Sequence, residues 1–375
     1  MCFTKNKTAK LITIFDNTNF GTYLQAVALG IILKRIGYDV TVLRYIRPFM
    51  KYSSRKRAVF TSTRNPLKWL LRLYKLRIWK RLRDKDYDFV ARHLPITKEV
   101  NTLNELRALD TPADIYITGS DQVWNHIHNK GIDENFYLTF APSNKPKVAY
   151  SASIGLNELS DNEKAIIKSL LSSYSAISVR EKQAVDLLGD IGVQAYQTLD
   201  PTFLLTSSDW QSMLPQTAPE KENYLLIYSV ETKSQDAIID YVARKVAKEK
   251  KLKIYGVYYG GSYNRISCCD KNFYYATPDV FLSLIINATF VVVSSFHGTA
   301  FSINLNKQFY TISPARFNSR IDSLLEMCGL QSRKITSNNQ EIHTESEINY
   351  NPVNKILSIE RNKSINYLKS LKKYC

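Results

Sequence analysis

No stretch of this chain approaches the roughly 18 uninterrupted apolar residues that a membrane-spanning helix needs. The early run KLITIFDNTNF is too short and too polar for a signal peptide, so a cytoplasmic protein is expected. Cysteine is scarce: Cys2, Cys268, Cys269, Cys328 and Cys375 are odd in number and two are adjacent, a spacing that suits neither a disulfide framework nor a zinc knuckle. Reduced thiols are expected. The glycine fingerprint GxGxxG of dinucleotide-binding turns is absent, and no DxD pair falls in a strand-end loop, since RDKDYD lies at the end of a basic helix. His126 and His128 lack a third ligand nearby and read as a solvated loop, so no metal is expected.

What is present is a chain of 375 residues, too long for one ordinary core, with 44% hydrophobic residues to fill two. Its net charge of +17 is unevenly spread. Arg44 to Arg92 holds 16 Lys or Arg against 3 Asp, leaving only +4 for the remainder. Within that segment Leu67, Leu70, Leu71, Tyr74, Ile78 and Leu82 recur at helical spacing, with Lys68, Arg72, Lys75, Lys80 and Arg83 opposite and Trp69 and Trp79 on the flanks. Such a helix, about residues 66–92, either packs on its domain or lies on an anionic membrane surface. No RNA-binding or zinc-finger motif accompanies the charge, which argues against nucleic acid as the partner.

Apolar runs alternate with amphipathic ones along the whole chain. KLITIFDNTNFGTYLQAVALGIILKRIGYDVTVLRY predicts a strand, a polar loop, a helix ending near Gly37 and a second strand, the opening of a doubly wound α/β domain. Further strands are expected at Ile115–Thr118, in KVAYSASIG, and before Arg180 and Glu181 in YSAISVRE. The polar, proline-bearing TSSDWQSMLPQTAPEKEN is the expected linker. Beyond it the pattern restarts: strands over 224–230 and 252–259, a helix over 233–249, a helix opening at Thr277 and Pro278, the strand TFVVV, the loop SSFHGT, a helix and the strand QFYTIS. The expected fold class is α/β, two Rossmann-like domains facing a cleft. The first covers 1–207, with the basic insertion at about 44–92, and the second covers 220–375, with a terminal helix packing back on the first.

The strings NFGTYLQAVAL, ITGSDQVWN, YSASIG, SVRE, LDPTFLL, VVVSSFHGTAFSI and NSRIDSLLEMCGL, in that order, resemble the polysaccharide pyruvyl transferase family across nearly the whole chain. The resemblance implies a GT-B-like fold and transfer of the pyruvyl group of phosphoenolpyruvate onto two hydroxyls of a sugar as a cyclic ketal, on a polysaccharide unit often still polyprenyl-linked. Phosphoenolpyruvate is then a substrate, and the reaction in principle needs no metal or other cofactor. Relatives often carry a basic residue just before the Phe/Leu-His-Gly element, where this chain has Ser295. Arg320 is a spare cation that could replace it, although a surface position at a helix start is the stronger expectation. Two rival functions share parts of this pattern. A sugar-nucleotide glycosyltransferase would add a Glu-rich ribose-binding element, whereas NATFVVVSSFHGTAFSINLNKQ has no acid. A non-enzymatic basic adaptor on membrane or nucleic acid would need only residues 44–92.

Phosphoenolpyruvate carries a phosphate and a carboxylate, so its site needs cations and N–H donors, and a helix N-terminus supplies the latter. Ser294, Ser295, Gly298 and Thr299 sit where strand hands over to helix and are the expected donor-binding loop; Arg180, at a strand end, would grip an anion bidentately, or else form a surface ion pair with the Glu181 that follows it. His297 is the expected general acid or holder of the leaving phosphate, because imidazole trades protons near neutrality. Asp121 would act as base or orient sugar hydroxyls, or else cap a helix. Gln122 and Trp124 in the same loop, with Asn19 and Gln25 in and after the first strand-to-helix loop, are expected on the acceptor side; the Trp124 ring offers a flat face to a sugar, though it could equally be core.

Overall fold

The computed structural model describes residues 6–16, 19–62, 65–109, 113–214, 222–230, 235–259, 266–312 and 319–375. The chain forms two compact units. One comprises Met1–Thr18, Thr22–Pro201 and Ser364–Cys375; the other comprises Asn19–Gly21 and Thr202–Lys363.

The first unit holds a parallel sheet of six strands: β1 (Lys7–Ile12), β2 (Tyr38–Val42), β3 (Ile115–Thr118), β4 (Lys147–Ala152), β5 (Tyr174–Val179) and β6 (Tyr196–Gln197). Their spatial order is β2-β1-β3-β4-β5-β6. The four central strands are buried toward their carboxyl ends because helices cover both faces of a parallel sheet; Leu11, Ile12, Ile115, Ile117, Val148 and Ala149 are all fully buried. Helix Phe20–Arg35 follows β1 and ends at Gly37, whose φ of +90° gives the chain its turn into β2.

The second unit repeats the plan with β7 (Tyr224–Tyr228), β8 (Lys253–Val257), β9 (Lys271–Phe273), β10 (Phe290–Val293), β11 (Gln308–Ile312) and β12 (Lys334–Ile335), in the order β12-β11-β10-β7-β8-β9. Tyr228, Val257, Val293 and Thr311 lie level across it. Its core joins Leu225, Ile227, Val242, Val246, Phe290 and Val292. The short strands β6, β9 and β12 have no counterpart in the sequence reading, since two or three residues are too few to show a period.

Two stretches differ from expectation. Inside the expected linker, Ser207–Ser212 is a helix closed by a Thr206/Asp209 capping box, with Trp210 fully buried and its indole N–H donating to Thr202 O. The other is the basic segment, where helix Pro66–His93, capped by Asn65, packs on helix Tyr52–Thr61. Trp69, Leu73, Leu76 and Trp79 meet Val59, Met50 and Tyr52 there. The guanidinium groups of Arg55 and Arg83 lie over the Trp79 ring at 4.3 and 4.4 Å, cation–π contacts that let a buried indole neighbour two cations. The stripe read from sequence packs only toward its far end, where Leu82 is buried and Ile78 half-buried, whereas Leu67, Leu70, Leu71 and Tyr74 stay 54–75% exposed. The tryptophans expected on its flanks supply the packed face, because an indole buries more area than a leucine and carries the arginines with it.

Candidate functional site

In an open parallel sheet, ligands bind beyond the carboxyl ends of the strands where the strand order reverses. The first sheet reverses between β1 and β3. Thr13, just past β1, donates to Ser120 O at 2.6 Å, and Gln25 Nε2 donates to Thr13 Oγ1 at 2.9 Å and Thr22 O at 3.0 Å. Thr22 Oγ1 donates to Asp121 at 3.0 Å. Asp121, past the end of β3, has φ +70°, and Ser151 in β4 has φ +51°. Non-glycine residues in this region cost about 1–3 kcal/mol each and concentrate at functional sites.

Arg180 follows β5 and is the centre of a buried cluster. Its Nη1 donates to Asp200 at 2.8 Å and its Nε to Glu181 at 3.2 Å, while Nη2 stands 3.8 Å from Asp121. Ser120 Oγ donates to Asp200 at 3.1 Å, and Ser153 Oγ to Glu181 at 2.5 Å. Burial works against the guanidinium's charge, but Glu181, Asp200 and Asp121 outweigh it and hold its pKa above the ordinary value.

This arrangement departs from the expectation that Arg180 grips the donor and has the alternative pairing with Glu181, buried where a surface ion pair was expected. Its N–H groups serve carboxylates, and one cation among three anions repels a further anion. Trp124 is likewise no sugar platform: it is 2% exposed, stacks on Tyr137 at 5.4 Å and 14°, and donates Nε1–H to Phe136 O. Gln25 is fully buried in the contacts above and has no face for an acceptor. Gln122 stays half-buried, its Oε1 accepting from Asn125 Nδ2 at 2.8 Å. Asp200 and Glu181 went unassigned as site residues in the sequence. Their only signal was position, in the quoted strings LDPTFLL and SVRE, both directly after a strand.

The second sheet reverses between β7 and β10. There Ser229 and Ser294 share a hydroxyl hydrogen bond of 2.9 Å, and Ser294 N donates to Tyr228 O at 3.2 Å. Helix Phe296–Asn304 begins immediately after, with Ser295 as its N-cap accepting from Gly298 N at 2.9 Å. Thr299 turns inward, its Oγ1 donating to Ser295 O and sharing a hydrogen bond with Thr311, each at 3.0 Å. A Cβ on Gly298 would come within 2.8 Å of Val293 Cγ1, so this glycine admits close packing of helix on strand. Ser295, Gly298 and Thr299 thus build the helix start, where the expectation had them ringing a phosphate; Ser294 and the first turn itself remain at the ligand edge.

His297 occupies that first turn and is 2% exposed. Its ring lies against Gly21, where an added Cβ would meet His297 Cγ at 2.0 Å and Nδ1 at 2.3 Å. Asn19 Oδ1 accepts from Gly21 N and from Tyr228 OH, both at 2.9 Å, which makes Asn19 a tether for the histidine wall and spends its carbonyl there, away from the acceptor role expected of it. Phe20 is held by stacking on Phe281 at 4.9 Å and by edge contact with Tyr259. The motifs NFGTY and SSFHGT, 276 residues apart between Gly21 and His297, therefore meet. Asn17 of the same loop lies outside the described residues, and Arg320 stands half-buried in the first turn of helix Ser319–Cys328. Among the described residues no group of three or more His, Cys, Asp or Glu is placed to hold a metal ion.

The sequence model of the family described as Polysaccharide pyruvyl transferase matches residues 19–316. No curated protein matches. Among solved structures, a putative UDP-N-acetylglucosamine 2-epimerase from Listeria monocytogenes is similar over 97% of this chain and 91% of that one, at 10% identity and a TM-score of 0.54. The UDP-GlcNAc 2-epimerase of Methanocaldococcus jannaschii is similar over 98% and 100%, at 12% identity and 0.54. That of Neisseria meningitidis, bound to UDP-GlcNAc, covers 96% and 100% at 9% identity and 0.52. At such identities the likeness shows the fold alone, the GT-B-like α/β class expected from the sequence.

Proposed function

The chain belongs to the polysaccharide pyruvyl transferase family, and from that premise we propose that it moves the pyruvyl group of phosphoenolpyruvate onto two hydroxyls of one sugar in a surface-polysaccharide repeat unit. The acceptor sugar is carried on a polyprenyl diphosphate, at the cytoplasmic face of the membrane. Protonation of the methylene carbon C3 creates an oxocarbenium centre at C2. A first sugar hydroxyl adds to C2 and loses its proton. The C2–O bond to phosphate then breaks, phosphate departs with both bonding electrons, and the second hydroxyl closes the ketal as its proton leaves. Phosphoenolpyruvate and diol become pyruvate ketal and phosphate, with no redox change.

The observation that carries this reading is the placement of His297: an imidazole on the first turn of a capped helix, at the reversal point of its sheet, with its ring walled by Gly21. A helix start favours an anion by its dipole and its N–H groups, and imidazole can give up a proton near neutrality. In this reading His297 delivers the proton to C3, and Ser294 with the helix start faces the phosphate. Asp121 accepts the proton of an attacking sugar hydroxyl. Arg180, bound to Asp200 and Glu181 and close to Asp121, is a positioning residue that keeps three carboxylates together without contacting the donor.

The test is incubation with phosphoenolpyruvate and a panel of polyprenyl-diphosphate-linked galactose, glucose and mannosamine acceptors, reading phosphate release and product mass together. The expected result is equimolar phosphate and pyruvylated sugar with one acceptor, at the same yield after a chelator. Phosphate release without a pyruvylated product, or transfer from a sugar nucleotide, would overturn the reading.

A further inference from the structure

We infer that the outer half of helix Pro66–His93 is a docking element for an anionic lipid surface. At 100° per residue, Leu67, Leu70, Leu71 and Tyr74 form one stripe, bordered by Lys68 and Lys75 on one side and Arg77 on the other, with Arg81 on the line of the stripe beyond Tyr74. The stripe is 75%, 66%, 54% and 63% exposed at those four positions, although the opposite face of the same turns, Trp69, Leu73 and Leu76, is packed on helix Tyr52–Thr61. The helix has already satisfied its need for a core, so its second apolar face is left over. Phe60, 45% exposed and in edge contact with Trp69 at 5.6 Å, adds a fifth exposed apolar side chain on the neighbouring helix.

Charge selects the occupant. From Arg44 to Arg83 the sequence contains 14 Lys or Arg and no acidic residue. A face of leucines and a tyrosine framed by cations matches the boundary between acyl chains and anionic headgroups, where the apolar stripe enters and the cations remain at the phosphates. Nucleic acid would engage the cations and leave the leucines in water. A second copy of this chain would bring the same excess of positive charge against itself.

The inference deepens the lipid-linked acceptor reading, yet it does not depend on the transfer reaction, because vesicles without acceptor test it alone. The full-length protein is floated with vesicles of phosphatidylcholine containing about one quarter phosphatidylglycerol, with neutral phosphatidylcholine vesicles, and with the anionic vesicles at raised salt. Flotation is expected with the first and lost in the other two. Leu67→Ser, Leu70→Ser, Leu71→Ser and Tyr74→Ser combined, and separately Lys68→Gln, Lys75→Gln, Arg77→Gln and Arg81→Gln combined, should each cut the bound fraction by about tenfold or more, since insertion and charge act together. Both variants should keep wild-type turnover on a water-soluble acceptor, which also reports that they fold. No flotation of the wild type, equal flotation on neutral vesicles, or indifference to both variants overturns the inference. So does a wild type that sediments as a dimer, does not float, and becomes monomeric in the serine variant, which would assign the stripe to a second copy.

Discussion

The two sheets share a plan and differ in what they place at their reversal points. Both are six parallel strands, and in each a serine or threonine hydrogen bond ties together the loops at that point, Thr13 to Ser120 in the first and Ser229 to Ser294 in the second. Beyond that the chemistry parts. The first edge buries Asp121, Glu181 and Asp200 around one guanidinium. The second presents hydroxyls, a helix start and His297, with no acidic residue from Asn287 to Gln308. Buried carboxylates suit hydroxyl groups and their protons, whereas a helix start with an imidazole suits an anion. A common framework leaves such differences open because strand-end loops are chosen independently of the core beneath them.

Substitutions at the second edge should have the largest effects. His297→Ala should lower pyruvyl transfer by about a hundred- to ten-thousand-fold, the range of a lost general acid, measured as phosphate release under saturating substrates. Gly21→Ala should do nearly the same damage with the histidine still present, because its new methyl occupies the ring's position. The double variant should be little worse than either single one, as for residues acting through one group; strictly additive losses would separate Gly21 from the histidine and break the idea that the two motifs form one wall.

At the first edge, Asp121→Asn sharpens the contrast. Asparagine tolerates the same positive φ, so the thermal midpoint should hold while turnover drops by about a hundredfold or more if the carboxylate is the base. Full activity would reassign proton removal elsewhere. Arg180→Lys should have a smaller effect: kcat down by about ten- to a hundredfold, the usual cost of disturbing a group that orients a reacting one, with KM for phosphoenolpyruvate nearly unchanged. A large rise in that KM with kcat preserved would restore Arg180 as a donor ligand and erase the division of chemistry between the two edges. Arg180→Ala is the poorer probe, since removing the cation paired with these buried carboxylates costs about 3–5 kcal/mol of stability.

Much of the fold was legible in the chain. The strand at Ile115–Thr118 agrees to the residue, and the expected strand-to-helix handover at SSFHGT is where β10 passes to helix Phe296–Asn304. Buried parallel strands announce themselves by continuous Val and Ile, and a proline at a first helical turn, as at Pro278, marks a start. Side-chain roles were less legible. Ser295 and Thr299 looked like phosphate ligands and proved to be helix caps and core contacts, because a hydroxyl has the same sequence appearance in either task. Trp124 read equally as sugar platform or core and proved to be core, since its neighbour Tyr137 decides which way the ring is spent.

The sequence by itself determined the strand-helix alternation, the doubling of the α/β plan, the confinement of positive charge to one segment and the position of His297 at a strand end, all of which follow from local periodicity and composition. Only the tertiary structure decided that Arg180 spends its charge on three carboxylates, that Gly21 makes room for an imidazole 276 residues away, and that the basic helix packs its tryptophans with Leu73 and Leu76 and leaves Leu67, Leu70 and Leu71 in solvent. Those are outcomes of competition between distant groups for the same space and the same hydrogen bonds, and nothing local in the chain records who wins.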